Sequence, residues 1–372
     1  MISDIRQQRL AENLVGYSVK VGKGDKVWID VIGESGALPA CIVREVYKRG
    51  GMPFVNYIDK RMLREILKGA SGEMLDIWAK RDVAFMEQMD CYIGIRGDVN
   101  NYELSDVPEQ NMREYERRYA EPVHSGVRVP KTRWVILRYP TTGMSQLAGM
   151  STEAFEDYYF NVCCLDYEKM GNAMEPLVKL MNSTDKVRIV AKDTDLTFSI
   201  KGIGAVKCAG GCNIPDGEVY TAPVKESVNG YIHYNVPSIE DGFRFEDVRL
   251  EFKDGKIVNA TANDSVRANA LFDTDGGARY VGEFAIGVNP YVTKAIGDIL
   301  FDEKISGSIH FTPGCCYDDA PNGNKSALHW DLVLCQTPEL GGGEIWFDGV
   351  LIRKDGRFVI KELECLNPEN LK

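Results

Sequence analysis

The sequence predicts two domains: an N-terminal α/β domain with a mostly parallel sheet over residues 1–185, and a β-rich α+β domain over 186–372. Three observations lead there. A chain of 372 residues is long for a single core. In its first half, short apolar runs rich in β-branched residues alternate with helical periods. After Lys186 the texture changes to short strand candidates separated by Gly, Asp and Asn.

In chain order, 3–15 reads as a helix and 27–32 (VWIDVI) as a strand. A helix follows over 38–48, then a strand at 53–58 (PFVNYI). From Ser71 to Asp90 the apolar residues Met74, Ile77, Trp78, Phe85 and Met89 keep a helical period, with Ser71 placed to cap it. CYIGI at 91–95 and WVILRY at 134–139 continue the strands. Short apolar strands between helices indicate a parallel sheet covered on both faces. Gly22 and Gly24 precede a strand, so they read as a turn and not as a dinucleotide fingerprint, which must follow one. Residues 151–182 are helical in pattern. Beyond them, 187–191, 196–202, 248–252 and 256–260 are strand candidates. Asp254-Gly255, Asp348-Gly349 and Asp355-Gly356 each supply the positive φ angles of a tight hairpin.

Composition narrows the function classes. The net charge of −11 argues against a nucleic-acid partner, because phosphate binding needs a positive surface. No apolar stretch approaches a membrane span, and the N-terminus lacks the apolar core of a signal peptide. The ten cysteines lie in unlike contexts that fit reduced thiols, so the expected location is the cytoplasm. Cys208 and Cys212 (CAGGC) have no second pair at zinc-site spacing. No Gly-x-Ser-x-Gly elbow is present, and Gly341–Gly343 reads as a turn because no Lys-Ser/Thr follows. Cys315 and Cys316 lie near His310 but read as small residues rather than nucleophiles.

The chain has four histidines. His329 and Asp331 stand at i and i+2 in an apolar run, which on a strand aims both side chains to one face. The pair reads equally as metal ligands or as a hydrogen-bonded core pair. Glu218 follows a turn forced by Pro215 and Gly217. Glu283 lies in the strand-like YVGEFAIG, and Glu303 precedes His310 by seven residues. Each could alone be a solvated glutamate. His124 and His233 lack carboxylates at motif spacing and read as structural.

Taken together, TDLTFSIKG (194–202), NIPDGEVYTAP (213–223), VNG (228–230), ARYVGEFAIG (278–287), LFDEK (300–304), the window from His310 to Tyr317 and ALHWDLVL (327–334) resemble the aminopeptidase T / aminopeptidase S family of dinuclear metallo-aminopeptidases. The resemblance implies that Glu218, Glu283, Glu303, His310, His329 and Asp331 form or closely support a site for two divalent ions, whether zinc, cobalt, manganese or magnesium. It implies a metal-activated water that attacks the first peptide bond of short peptides with a free N-terminus. Glu283 is the expected general base or a ligand, and Tyr317 the hydrogen-bond donor to the developing oxyanion. A homodimer is implied as well. The segment between His310 and His329 is shorter than in better-known members, which suggests a trimmed pocket loop. That leaves two other readings: a metal-dependent amidase or hydrolase on a non-peptide substrate, and a non-catalytic metal-stabilised binding protein.

Overall fold

The computed structural model describes residues 4–372, which divide into two compact units. The first runs to Cys164 and includes Gly210–Ile214; the second comprises Leu165–Ala209 and Pro215–Lys372. The helix Tyr167–Ser183 therefore belongs to the second unit, where the sequence reading drew its boundary at 185.

The first unit is built on a five-stranded parallel sheet in the order Met52–Ile58, Lys26–Gly33, Cys91–Gly97, Arg133–Arg138, Asn213–Ile214. Nearly every residue of Cys91–Gly97 is buried, as expected of a central strand covered on both faces. Helix Leu38–Lys48 has the expected bounds, and Gly72–Met86 begins where the Ser71 hydroxyl accepts from Met74 N at 3.2 Å. The sequence reading assigned no element to Glu116–Arg128, which forms a π-helix around Pro122. Its Tyr119, Val123 and Val127 pack with Trp28, Met86 and Tyr92. The short strand Asn213–Ile214, to which the sequence assigns no element and which lies just before the turn at Pro215 and Gly217, completes the sheet edge.

The second unit contains an eight-stranded sheet whose pairings are all antiparallel. Its order is Lys256–Thr261, Arg249–Lys253, Asn229–His233, Thr194–Ser199, Lys186–Ala191, Gly343–Phe347, Val350–Lys354, Arg357–Phe358. All three Asp-Gly pairs turn hairpins with both residues at positive φ; Asp254 and Gly255, for example, lie at 49° and 82°.

A second, five-stranded antiparallel sheet runs Val333–Cys335, Ser308–Pro313, Val281–Gly287, Glu218–Thr221, Val206–Cys208. Strand alternation divides its two faces. Phe284 and Phe311 meet Phe198 of the larger sheet, each with ring centroids 5.0 Å from it. Their neighbours Glu283 and His310 point the other way, onto the face that also carries Glu218. The fold class is thus the one expected: a parallel α/β part followed by a β-rich part.

Candidate metal centre

The middle three strands of the smaller sheet bring the first three residues together. Ala285 pairs with His310 and with Tyr220, and Gly287 pairs with Glu218. Small side chains at 285 and 287 leave space on the face that Glu218 and His310 share. Gly287 also admits the chain that follows helix Ile299–Asp302. A Cβ on it would stand 2.5 Å from Ile305 O and 2.9 Å from Glu303 O. That close passage delivers Glu303 and Lys304 to the same place. A register shift between Val281 and Glu283 re-aims the Glu283 carboxylate.

His329 and Asp331 arrive differently from the expectation. They precede the strand Val333–Cys335 and are not part of it, His329 making only an isolated bridge to Gly314. They nevertheless converge, with His329 Nε2 3.4 Å from Asp331 Oδ1. The Asp331 oxygen accepts from Thr312 Oγ1 at 2.7 Å, and His329 Nδ1 donates to Cys315 O at 2.8 Å. A carbonyl only accepts, so the proton sits on Nδ1 and Nε2 is turned towards the acids. The short loop carrying Cys315 and Tyr317 is pinned by Asn324, whose amide donates to Gly277 O and Gly314 O, and by Asn322, which donates to Pro223 O and Val281 O.

Glu283 is the centre of the arrangement. One oxygen lies 3.2 Å from His310 Nε2 and the other 3.3 Å from His329 Nε2. Ligand-capable atoms fall within 4.8 Å of one another in the groups Glu218–Glu283–His310, Glu283–His329–Asp331 and Glu303–His310–Asp331. All six residues named from the sequence are in this cluster, and Glu218, Glu283 and His310 are at most 5% exposed. Tyr317, half exposed, lays its ring 4.8 Å from that of His329. His124 and His233 stand outside. His124 accepts from Arg128 Nε at 3.3 Å, and burial beside Arg128 pulls its pKa down to about 4. His233 faces Asp247.

Three residues of the cluster escaped the sequence reading. Lys304 is 1% exposed; its Nζ donates to Glu218 Oε1 at 2.6 Å and also to Glu303. Asp216, equally buried, lies 3.9 Å from the same nitrogen. Thr312 could have been found, because it stands at i+2 from His310 on a strand and so shares its face.

The electrostatics are those of crowded acids held by protons and one ammonium. Burial pulls the His310 pKa down, but Glu218 and Glu283 outweigh it and push the value up to about 10. For His329, burial is likewise overcome by Asp331 and Glu283, giving about 11. Burial raises Glu303 to about 8 against the pull of Lys304. Asp331 is held well below the carboxylate range by His329 despite its burial. Divalent cations fit this donor set. Carboxylate and imidazole are zinc-type ligands, and Glu218 Oε2 and His329 Nε2 are buried without a hydrogen-bond partner. A cavity of about 660 Å³ in the same unit, lined in part by Lys186, Arg188 and Trp346, contains none of these residues.

The cluster has the donor set of a metal centre, carried on an α/β part joined to a β-rich part. The chain belongs to the family described as thermophilic metalloprotease (M29), whose model matches residues 3–358. It is similar to aminopeptidase PepS of Streptococcus thermophilus, 23% identical over 92% of this chain and 94% of that one. Its fold matches wild-type AmpT from Thermus thermophilus with a TM-score of 0.80 at 22% identity, over 96% and 99% of the two chains. A 2,5-dihydroxypyridine dioxygenase from Pseudomonas putida KT2440 shares the fold at a TM-score of 0.63 and 13% identity, over 98% and 100%.

Proposed function

We propose that this metalloprotease is an aminopeptidase that releases N-terminal residues from short peptides, with two divalent cations at the cluster. The observation that carries the reading is Glu283, whose two oxygens face two different histidines in two different ligand groups. In this reading Glu218, Glu283 and His310 would hold one ion, and Glu283, His329 and Asp331 the other. A cation pair so held supplies a water of lowered pKa and polarises a carbonyl. The relatives named aminopeptidases and the family match support the choice of bond. The dioxygenase likeness is one of fold only, and fold does not select a reaction.

The chain's own residues then divide the work. Glu283, shared by both groups, is better suited to bridge them than to move a proton. Glu303, held at one oxygen by Lys304 and within reach of His310 and Asp331, is the carboxylate left to accept the proton of the attacking water and pass it to the leaving amine. Such transfer contributes about 10²–10⁴-fold in rate. The Tyr317 hydroxyl, kept protonated by partial desolvation and the nearby acids, donates to the carbonyl oxygen as that oxygen gains charge. The proposal includes a homodimer, checked by light scattering, and a cytoplasmic location, checked by cell fractionation.

The test is hydrolysis of aminoacyl-p-nitroanilides, dipeptides, N-acetylated peptides and simple amides by the purified protein. It is assayed as isolated, after chelation, and after return of zinc or cobalt. Activity confined to free N-termini, lost on chelation and restored by metal, is the expected result. Turnover of simple amides but not peptides would establish an amidase instead. Stoichiometric metal without any turnover would leave only a binding role.

A further inference from the structure

Lys304 is a charged member of the cluster that the reading above uses only to hold one oxygen of Glu303. A lysine is almost never fully buried unless paired, and this one is fixed at both ends. Its backbone N donates to Phe301 O at 3.0 Å, its carbonyl accepts from Asn289 N at 3.1 Å, and its segment passes Gly287 too closely for any side chain there. At the other end Nζ reaches Glu218 Oε1 at 2.6 Å, Glu303 Oε1, and Asp216 Oδ1 at 3.9 Å. The second Glu218 oxygen, Oε2, points elsewhere: it lies 3.5 Å from His310 Nε2 and has no hydrogen-bond partner. The two oxygens of one carboxylate are thus turned to two different tasks.

We propose that Lys304 is a positioning residue, a built-in ammonium that occupies one oxygen of Glu218 and one of Glu303 so that each turns a single oxygen towards the metal groups. This rests on the two-cation reading above. A carboxylate with both oxygens free can clasp a cation through both, which fills coordination positions that a catalytic centre must keep open. With Oε1 committed to Nζ, Glu218 has only Oε2 to give. The same ammonium stands between Asp216 and Glu218, which together with Cys208 form a further group able to hold a cation. A fixed positive charge there keeps an additional ion out.

The test compares wild type, Lys304→Met and Lys304→Arg, each stripped of metal and loaded with cobalt(II). Metal per chain is measured by mass spectrometry, and coordination by visible absorption, which is far stronger for four- and five-coordinate cobalt than for six-coordinate. The expected result is two ions and an intense band in wild type. In K304M the band per ion falls by about twofold or more as Glu218 closes on the cation with both oxygens, and K304R, which keeps the charge, restores it. A wild-type band in K304M overturns the proposal, as does a K304R band no stronger than that of K304M. Wild-type protein that takes up no metal would refute the two-cation reading and this inference with it. Two ions in wild type with an unchanged K304M band would refute the inference alone. If circular dichroism shows K304M unfolded, a metal-loaded crystal structure of wild type decides. Nζ on Glu218 Oε1 with metal on Oε2 supports the proposal, and metal on both oxygens overturns it.

Discussion

Replacing Gly287 with alanine tests whether the close passage of chain beneath the cluster matters. The added Cβ would lie 2.5 Å from Ile305 O, 2.7 Å from Ser308 Oγ and 2.9 Å from Glu303 O, whereas ordinary contact begins near 3.4 Å. The serine hydroxyl can rotate away, but the two carbonyls are backbone. Residues 303–305 must therefore retreat by roughly 0.5–0.9 Å, the shortfall at the two carbonyls, carrying Glu303 and Lys304 with them. Overpacking of this kind costs about 1–3 kcal/mol. In a unit of this size each kcal/mol lowers the melting temperature by about 2–4 °C. A displacement approaching 1 Å among positioned groups costs as much as about 10²-fold in rate. Gly276→Ala is the control, because a Cβ there meets nothing within 4 Å. Calorimetry, metal analysis and peptide hydrolysis on both variants give the answer. If G287A matched G276A in melting temperature, metal content and turnover, Gly287 would have no role in placing Glu303 and Lys304.

The remaining expectations concern the acids, the protons and the metal. Glu218→Gln should lose bound metal and peptidase activity together, and full retention of both would remove Glu218 from the site. Glu283→Gln should bind neither ion well, whereas Glu303→Gln should keep its metal and lose about 10²–10⁴ in kcat; metal analysis showing the reverse pattern would exchange their roles. In the metal-free protein, His310 and His329 have pKa values raised from 6.5 to about 10 and 11. Their contribution to stability is therefore complete below pH 6.5 and is lost as pH rises through 10 and 11. Melting temperatures of chelated protein that did not fall over that alkaline range would contradict the pairing. Because metal must displace these protons, and Glu303, raised to about 8, must also ionise to act as a base, loading near pH 7 should release about two to three protons per chain. Titration calorimetry in buffers of different ionisation enthalpy reads that number directly.

What could be read from the sequence is what depends on near neighbours. Asp254-Gly255 turns a hairpin because two adjacent residues at positive φ suffice, and Ser71 caps its helix because the acceptor and the Met74 amide are three residues apart. The six acids and histidines could be proposed because they lie in ordered motifs, although each alone would pass for a surface residue. The limits appear where distant segments decide. The π-helix Glu116–Arg128 owes its burial to Trp28 and Tyr92, far away in the chain. His329 and Asp331 share a direction without a strand, because Cys315 O holds one and Thr312 the other. Lys304 is the extreme case. A lysine beside a glutamate reads as solvent-exposed, and its burial becomes tolerable only when Asp216 and Glu218, more than eighty positions earlier, meet it across Gly287. Removing either the acids or the ammonium would leave the other charge buried and uncompensated, so the two are tolerable together and costly apart.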